Sequence, residues 1–512
     1  MPDFHSGTSD SAQKPRWFSS ILGSARRIST MIGGHQETQK SEEEMRATST
    51  LRAAQKVLRL DTISADMVKV EYAVRGEIAI RAEELRKQLT TQPGSLPFKQ
   101  ITNCNIGNPQ QLQQKPITFF RQVASLVDYP DLLQEDKLPI TKQLFATDAV
   151  ERAKTYLGAI GSAGAYSHSQ GIPAVRKEVA AFIEARDGYP ADPENIFLTA
   201  GASPAVQLVL NALISHSKVG IMIPIPQYPL YTASIASSTE LTEELGRSLK
   251  KARAEGTEVR ALCLINPGNP TGQCLSWDNM KEIVAFCKKE RLVLLADEVY
   301  QTNIYKPEEL PFHSFKKVVK SMGPEYNDFE LISFHSVSKG MIGECGRRGG
   351  YFECTNIDSK VMAEFYKICS ISLCPPVQGQ LMVGLMTNPP KEGDVSYPVY
   401  RKEMDDIYVS LKRRAESLAQ ASTNSKESLV MLLRVPSGAV AAAKKLGKQP
   451  DELYCLELLN ETGVCVVPGS GFLQKEGTWH FRSTFLAPEA QMGEFAQSLA
   501  RFHAKFMDKY RV

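Results

Sequence analysis

The chain has 512 residues, a formal net charge of +3, and 42% hydrophobic and 23% charged residues. That length buries a large core and accommodates two or more domains. The small net charge, the absence of a basic stripe interleaved with aromatics, and the lack of any apolar run near the ~18 residues a bilayer requires exclude nucleic acid and membrane as expected partners.

Residues 1–50 read as a flexible N-terminal extension, rich in Ser, Gly, Thr and Gln. Within it, Trp17, Ile21, Ala25 and Ile28 fall on one helical face among Arg16, Arg26 and Arg27. Arginine and serine without acid suit a mitochondrial presequence, whereas Asp3 and Asp10 just before it suit a disordered cytosolic tail. The expected location is therefore mitochondrial or cytoplasmic.

Residues 71–89 read as a helix with Val74, Ile78, Leu85 and Leu89 on one side, ended by Pro93-Gly94. Short apolar runs follow at 195–199, 219–223, 261–265, 292–296 and 331–334, bounded by turn residues and separated by helical segments. That alternation predicts an α/β fold: a three-layer large domain with a mostly parallel central sheet between helices. Charged helices such as 400–415 follow Pro389-Pro390 and predict a smaller α+β domain from 386. Ligands of such sheets gather at the carboxyl ends of strands. The ten cysteines contain no C-x-x-C pair. Cys263, Cys274, Cys345, Cys369, Cys374 and Cys465 sit mostly in apolar or glycine-rich contexts, which suits buried free thiols. The eight histidines lack metal-ligand spacing, and no metal is expected.

The polar motifs stand at the predicted strand ends. Ala200-Gly201-Ala202-Ser203 opens a helix whose amides suit a phosphate, or it is a plain capped helix. Tyr228, after the 219–223 run, can stack on a heteroaromatic ring or pack in a core. Asn266-Pro267-Gly268-Asn269-Pro270-Thr271-Gly272 is a rigid turn that aims Asn269 at a ligand, or simply a tight turn. Asp297 needs a cationic or hydrogen-bonding partner, which a protonated pyridine nitrogen would supply; Tyr300 would reach a phenolic oxygen. The alternative is a helix cap at Asp297 with Tyr300 packed. Ser336-Val337-Ser338-Lys339-Gly340, with Arg347 eight residues after the lysine, suits a Schiff-base lysine for an aldehyde cofactor whose phosphate Ser336, Ser338 and Arg347 hold. Arg482, in an alternating strand at 478–485, suits a carboxylate or is a solvated surface charge.

Taken in order, these motifs resemble the aspartate-aminotransferase superfamily of pyridoxal-phosphate enzymes, fold type I. Within it the chain resembles the alanine-aminotransferase family, on Asn105-Ile106-Gly107-Asn108-Pro109, Gly343-Glu344-Cys345-Gly346, Leu373-Cys374-Pro375-Pro376 and Val467-Pro468-Gly469-Ser470-Gly471. The resemblance covers roughly residues 60–510. It implies pyridoxal 5'-phosphate on Lys339, which is also the proton shuttle. It further implies Asp297 on the pyridinium nitrogen, Asn269 and Tyr300 on the 3-hydroxyl, and Ser203, Ser336, Arg347 and the Ala202 amide on the phosphate. Tyr228 would stack on the ring. Tyr166 would reach the neighbouring subunit's phosphate, which makes the expected protein a homodimer. Arg482, Asn269 and the loop at Gly107 would bind substrate carboxylate. The implied reaction is ping-pong transamination of L-alanine and 2-oxoglutarate to pyruvate and L-glutamate. The implied domains are 51–125 with the small domain and substrate loop, 126–385 for cofactor and 386–512 as the small domain.

Two departures stand out. Val337 and Met341 replace the family's usual residues conservatively. The 424–450 segment lacks the family's usual pattern, which predicts an altered strand there. A different activity on the same fold, or a non-catalytic binding protein, are the rival readings.

Overall fold

The computed structural model describes residues 59–63, 76–105, 107–226, 241–421, 430–433, 435–474 and 477–511. The 1–50 extension and Tyr228 lie outside them. The chain divides into two units, Met1–Glu71 and Tyr72–Val512. Of the first, only a turn is described, in which Arg59 pairs with Asp61 at 2.8 Å.

The second unit is built on a six-stranded sheet of β1 (Ile196–Thr199), β2 (Val219–Met222), β3 (Glu258–Ile265), β4 (Val293–Asp297), β5 (Leu331–Ser336) and β6 (Gly350–Thr355). Its order is β1-β6-β5-β4-β3-β2. β6 runs antiparallel to both its neighbours, β1 and β5, whereas β2 to β5 are mutually parallel. Alternating residues of these strands enter different cores. Ile196 and Leu198 join helices Thr118–Asp128, Pro173–Asp187 and Val377–Thr387, while Phe197 joins helix Ala202–Leu213 and Phe365. Likewise Leu262 and Leu264 pack with helices Trp277–Glu290 and Phe315–Ser321, whereas Ala261 and Cys263 face the other layer. Period-two burial on both faces is what produces the three layers. Phe197 and Phe352, register partners on β1 and β6, stack at 4.8 Å. Such a ring pair contributes about 0.5–1.5 kcal/mol beyond its buried area.

Two strand ends differ from the sequence expectation. β4 runs on to Asp297 and β5 to Ser336. The ladder extends because Asp297 lies opposite Phe334, and the Glu298 amide donates to the Phe334 carbonyl at 3.0 Å. A turn, not a helix, follows Asp297, which removes the helix-cap alternative.

A separate apolar cluster joins Ile78, Ala82 and Leu85 of helix Glu77–Thr91 to Tyr454, Leu458, Phe481, Phe502 and Phe506. Above it lies an antiparallel sheet of β7 (Val430–Leu433), β8 (Val467–Pro468) and β9 (Trp479–Arg482), in the order β8-β9-β7. β7 falls in the divergent segment, yet pairs with β9 from Val430–Arg482 to Leu433–Trp479. All ten cysteines are free.

Candidate active site

The carboxyl ends of β3, β4 and β5 lie side by side and carry Asn266, Asp297 and Ser336. The Asn266 amide donates to the Asp297 carbonyl at 2.9 Å, and its buried side chain accepts from the Leu275 amide at 2.9 Å. These bonds fix both arms of the 266–272 turn and so aim Asn269. Asp297 is 6% exposed, and its carboxylate accepts from the Val299 amide at 3.3 Å.

Asn269 joins two predicted residues that are far apart in sequence. Its amide nitrogen donates to the Tyr300 hydroxyl at 3.1 Å, and its oxygen accepts from Arg482 at 3.3 Å. Arg482 is 6% exposed, donates to the Asn105 carbonyl and lies 4.8 Å from the centre of the Phe472 ring. The solvated-charge alternative for Arg482 is thereby removed. Lys339 leaves a tight turn after β5. There the Ser336 hydroxyl accepts from the Ser338 amide at 3.0 Å and donates to the Gly349 carbonyl at 3.1 Å. The Lys339 ammonium donates to the Gly107 carbonyl at 3.4 Å, which brings Gly107 to the lysine.

The N-terminal turn of helix Ala202–Leu213 is entered by Gly201 at φ 95°, a conformation that favours glycine. The sequence reading expected Arg347 at the phosphate. The guanidinium over this turn belongs to Arg348, not Arg347. Arg348 donates to the Ala200 carbonyl at 2.9 Å and lies 3.5 Å from the Ser338 hydroxyl. A Cβ on Gly201 would come within 2.6 Å of it. The Arg347 side chain makes no hydrogen bond or ion pair among the described residues. The physical reason is local: Arg347 ends the 3₁₀ turn Cys345–Arg347, and Arg348 follows at φ 56°, which turns the chain back toward β6. Ser203 is exposed at the same helix start, and Tyr166 is 78% exposed on its loop.

Behind the strand ends lies a buried polar layer that periodicity alone did not reveal. Glu298 accepts from the Phe315 amide at 2.8 Å and stands 3.6 Å from Arg186, which is held by Asp187 at 2.7 Å. Burial pushes the Glu298 carboxyl up to about 7, against the opposing pull of Arg186. Burial also drives His335 down to about 3, so this imidazole is neutral. His335 lies opposite Tyr351, and Ser333 opposite Glu353, which pairs with Lys316 at 2.5 Å. Among the described residues no helix is long and apolar enough to cross a membrane, and no group of three His, Cys, Asp or Glu residues is placed to hold a metal.

Comparison with known proteins gives this arrangement a context. Residues 137–499 match the family model described as aminotransferase class I and II. A Dictyostelium discoideum protein named probable alanine aminotransferase, mitochondrial, is 51% identical over 486 residues, covering 89% of this chain and 90% of that one. Glutamate–glyoxylate aminotransferase 1 of Arabidopsis thaliana is 47% identical over 484 residues, covering 89% and 98%. The fold resembles that of a solved alanine aminotransferase from Pyrococcus furiosus, with a TM-score of 0.65 at 20% identity over 86% of this chain and all of that one.

Proposed function

Because this chain belongs to the class I and II aminotransferase family, we propose that it transaminates L-alanine and 2-oxoglutarate, giving pyruvate and L-glutamate, with pyridoxal 5'-phosphate as cofactor. The observation that carries the reading is the bridge made by Asn269 between Tyr300 and Arg482 beside the strand end of Asp297. One amide thus serves both a residue suited to a phenolic oxygen and one suited to a carboxylate.

The residues present fit the cofactor. The side-chain-free turn at Gly201, with the Arg348 guanidinium beside it, is a cradle for a phosphate. The Ala202 amide, Ser203, Ser336 and Arg348 would hold that phosphate, Arg348 taking the part expected of Arg347. Asp297 would pair with the ring nitrogen, while Asn269 and Tyr300 would hold the 3-hydroxyl. When bound, the cofactor supplies an electron sink that labilises bonds at the substrate α-carbon. Arg482, Asn269 and the Gly107 loop would orient the substrate by its carboxylate. Lys339 would hold the cofactor aldehyde at rest and, once released, carry the α-proton. The two substrates use the site in turn, so initial rates should give the parallel lines of a ping-pong mechanism. A screen of amino donors and acceptors tests the assignment: alanine must exceed aspartate and aromatic donors. The 47% identity to a glutamate–glyoxylate aminotransferase makes glyoxylate the second acceptor to compare.

The proposed assembly is a homodimer in which Tyr166 reaches the partner's phosphate. Supporting it, Tyr166, Tyr366, Ile368, Ile371 and Leu373 are all exposed, and His168, two residues after Tyr166, contacts the Tyr366 ring at 5.3 Å. Sedimentation of the holoprotein tests this. The proposed domains are 51–125 with 386–512, and 126–385; the cluster of Ile78 and Leu85 with Tyr454 and Phe481 favours the first grouping. A mitochondrial or a cytoplasmic location is decided by N-terminal sequencing of protein from fractionated cells.

A further inference from the structure

Asp451 is a carboxylate with 0% exposure, well away in sequence from every residue assigned above. A buried carboxylate is costly unless its partners repay it. It sits in the first turn of helix Pro450–Thr462, where the helix dipole favours an anion. One of its oxygens accepts from the Ser470 amide at 2.6 Å and from the Gln474 side chain at 3.1 Å. The Gln474 oxygen in turn lies 3.1 Å from His480 Nδ1. Burial raises the Asp451 carboxyl against the hydrogen bonds from Ser470 and Gln474, and lowers His480 against the weaker pull of Asp451.

These partners belong to the turn and the strand that lead to Arg482. Ser470 belongs to the 3₁₀ turn Gly469–Phe472, whose Phe472 ring backs the Arg482 guanidinium. His480 is on β9, two residues before Arg482 on the same face. The turn ends on Leu473 at φ 54°, a left-handed conformation that a branched side chain resists. Such a turn keeps its shape only when the surroundings impose it, and the Asp451 bonds at Ser470 and Gln474 bracket Leu473.

We propose that Asp451, acting through Ser470 and Gln474, is a positioning residue that sets Phe472 and Arg482 for substrate-carboxylate binding. The inference rests on Arg482 as the carboxylate site. Asp451 touches neither substrate nor cofactor, so its loss disturbs binding of both substrates and spares the chemical step.

The test uses holoenzyme variants Asp451→Ala, Asp451→Asn and Gln474→Leu, with Arg482→Lys in parallel. In Asp451→Ala, KM for L-alanine and for 2-oxoglutarate should both rise on the order of ten-fold, with kcat and cofactor affinity near wild type. Asp451→Asn keeps an acceptor oxygen and should restore KM to within about three-fold. Gln474→Leu leaves the Asp451–Ser470 bond in place and should raise both KM values to a smaller degree. It decides the matter if Asp451→Ala does not fold. Unchanged KM in these variants while Arg482→Lys raises it would overturn the inference, as would equal losses in kcat and cofactor affinity. If Arg482→Lys also leaves KM unchanged, the carboxylate assignment fails and the inference falls with it.

Discussion

Replacing Arg348 should weaken cofactor binding, and replacing its neighbour Arg347 should not. The Arg348 guanidinium holds the Ala200 and Cys345 carbonyls at 2.9 Å each and lies against Gly201 at the start of helix Ala202–Leu213. A charge-assisted hydrogen bond to an anion there contributes about 1.5–3 kcal/mol. At about 1.4 kcal/mol per decade, one such bond corresponds to roughly 10–100-fold in Kd. Arg348→Ala should therefore raise the Kd for pyridoxal phosphate by that factor. Arg347→Ala should change it by less than about three-fold, because among the described residues its side chain makes no hydrogen bond or ion pair. Arg348→Lys, which keeps the charge but loses the planar fork, should fall between them. The assay is spectroscopic titration of apoprotein with cofactor. A larger loss in Arg347→Ala than in Arg348→Ala would refute the assignment.

Lys339→Ala should lower turnover by at least about 10²–10⁴-fold while the protein stays folded by circular dichroism; near-normal rates would remove the lysine from the mechanism. Gly349→Ala should abolish soluble expression, because its Cβ would overlap the Gly379 carbonyl, whereas Gly346→Ala, with open space around it, should express normally. Glu298 carries a folded-state pKa near 7, above the ordinary 4.5. Its stabilising share is complete below the ordinary value and is lost as pH rises through about 7, at no more than about 1.4 kcal/mol per pH unit. His335, held near 3, acts in the opposite direction because the unfolded imidazole takes up a proton that the folded one refuses. The test is therefore a difference. Urea midpoints should show Glu298→Gln gaining on wild type between about pH 5 and pH 8, and a constant gap would show that Glu298 does not titrate there.

The three-layer fold was legible because each strand is a short apolar run whose alternate residues enter separate cores, as Ile196 and Phe197 do. Lys339, Asp297 and Asn269 were legible because rigid turns or strand ends present them, and those are local properties of sequence. Arg348 was missed for the converse reason. Adjacent arginines leave a 3₁₀ turn in different directions, and only the packed backbone at Gly349, Gly350 and Gly201 decides which one covers the helix start. Asp451, Glu298 and Arg186 were also beyond reach. Each is tied to another element, Asp451 to Ser470, Glu298 to Phe315 and Arg186 to Glu298, and no periodicity records such pairings. Arg482 stood between these cases: alternation placed it on a strand, but its contact with Asn269 is tertiary.

The central claim is most directly tested by a single-turnover experiment on yellow, cofactor-loaded protein without an acceptor. L-Alanine should bleach the colour and release one pyruvate per site, and 2-oxoglutarate should then restore the colour and yield one L-glutamate. Colour that persists in saturating alanine, with no pyruvate formed, would contradict the account.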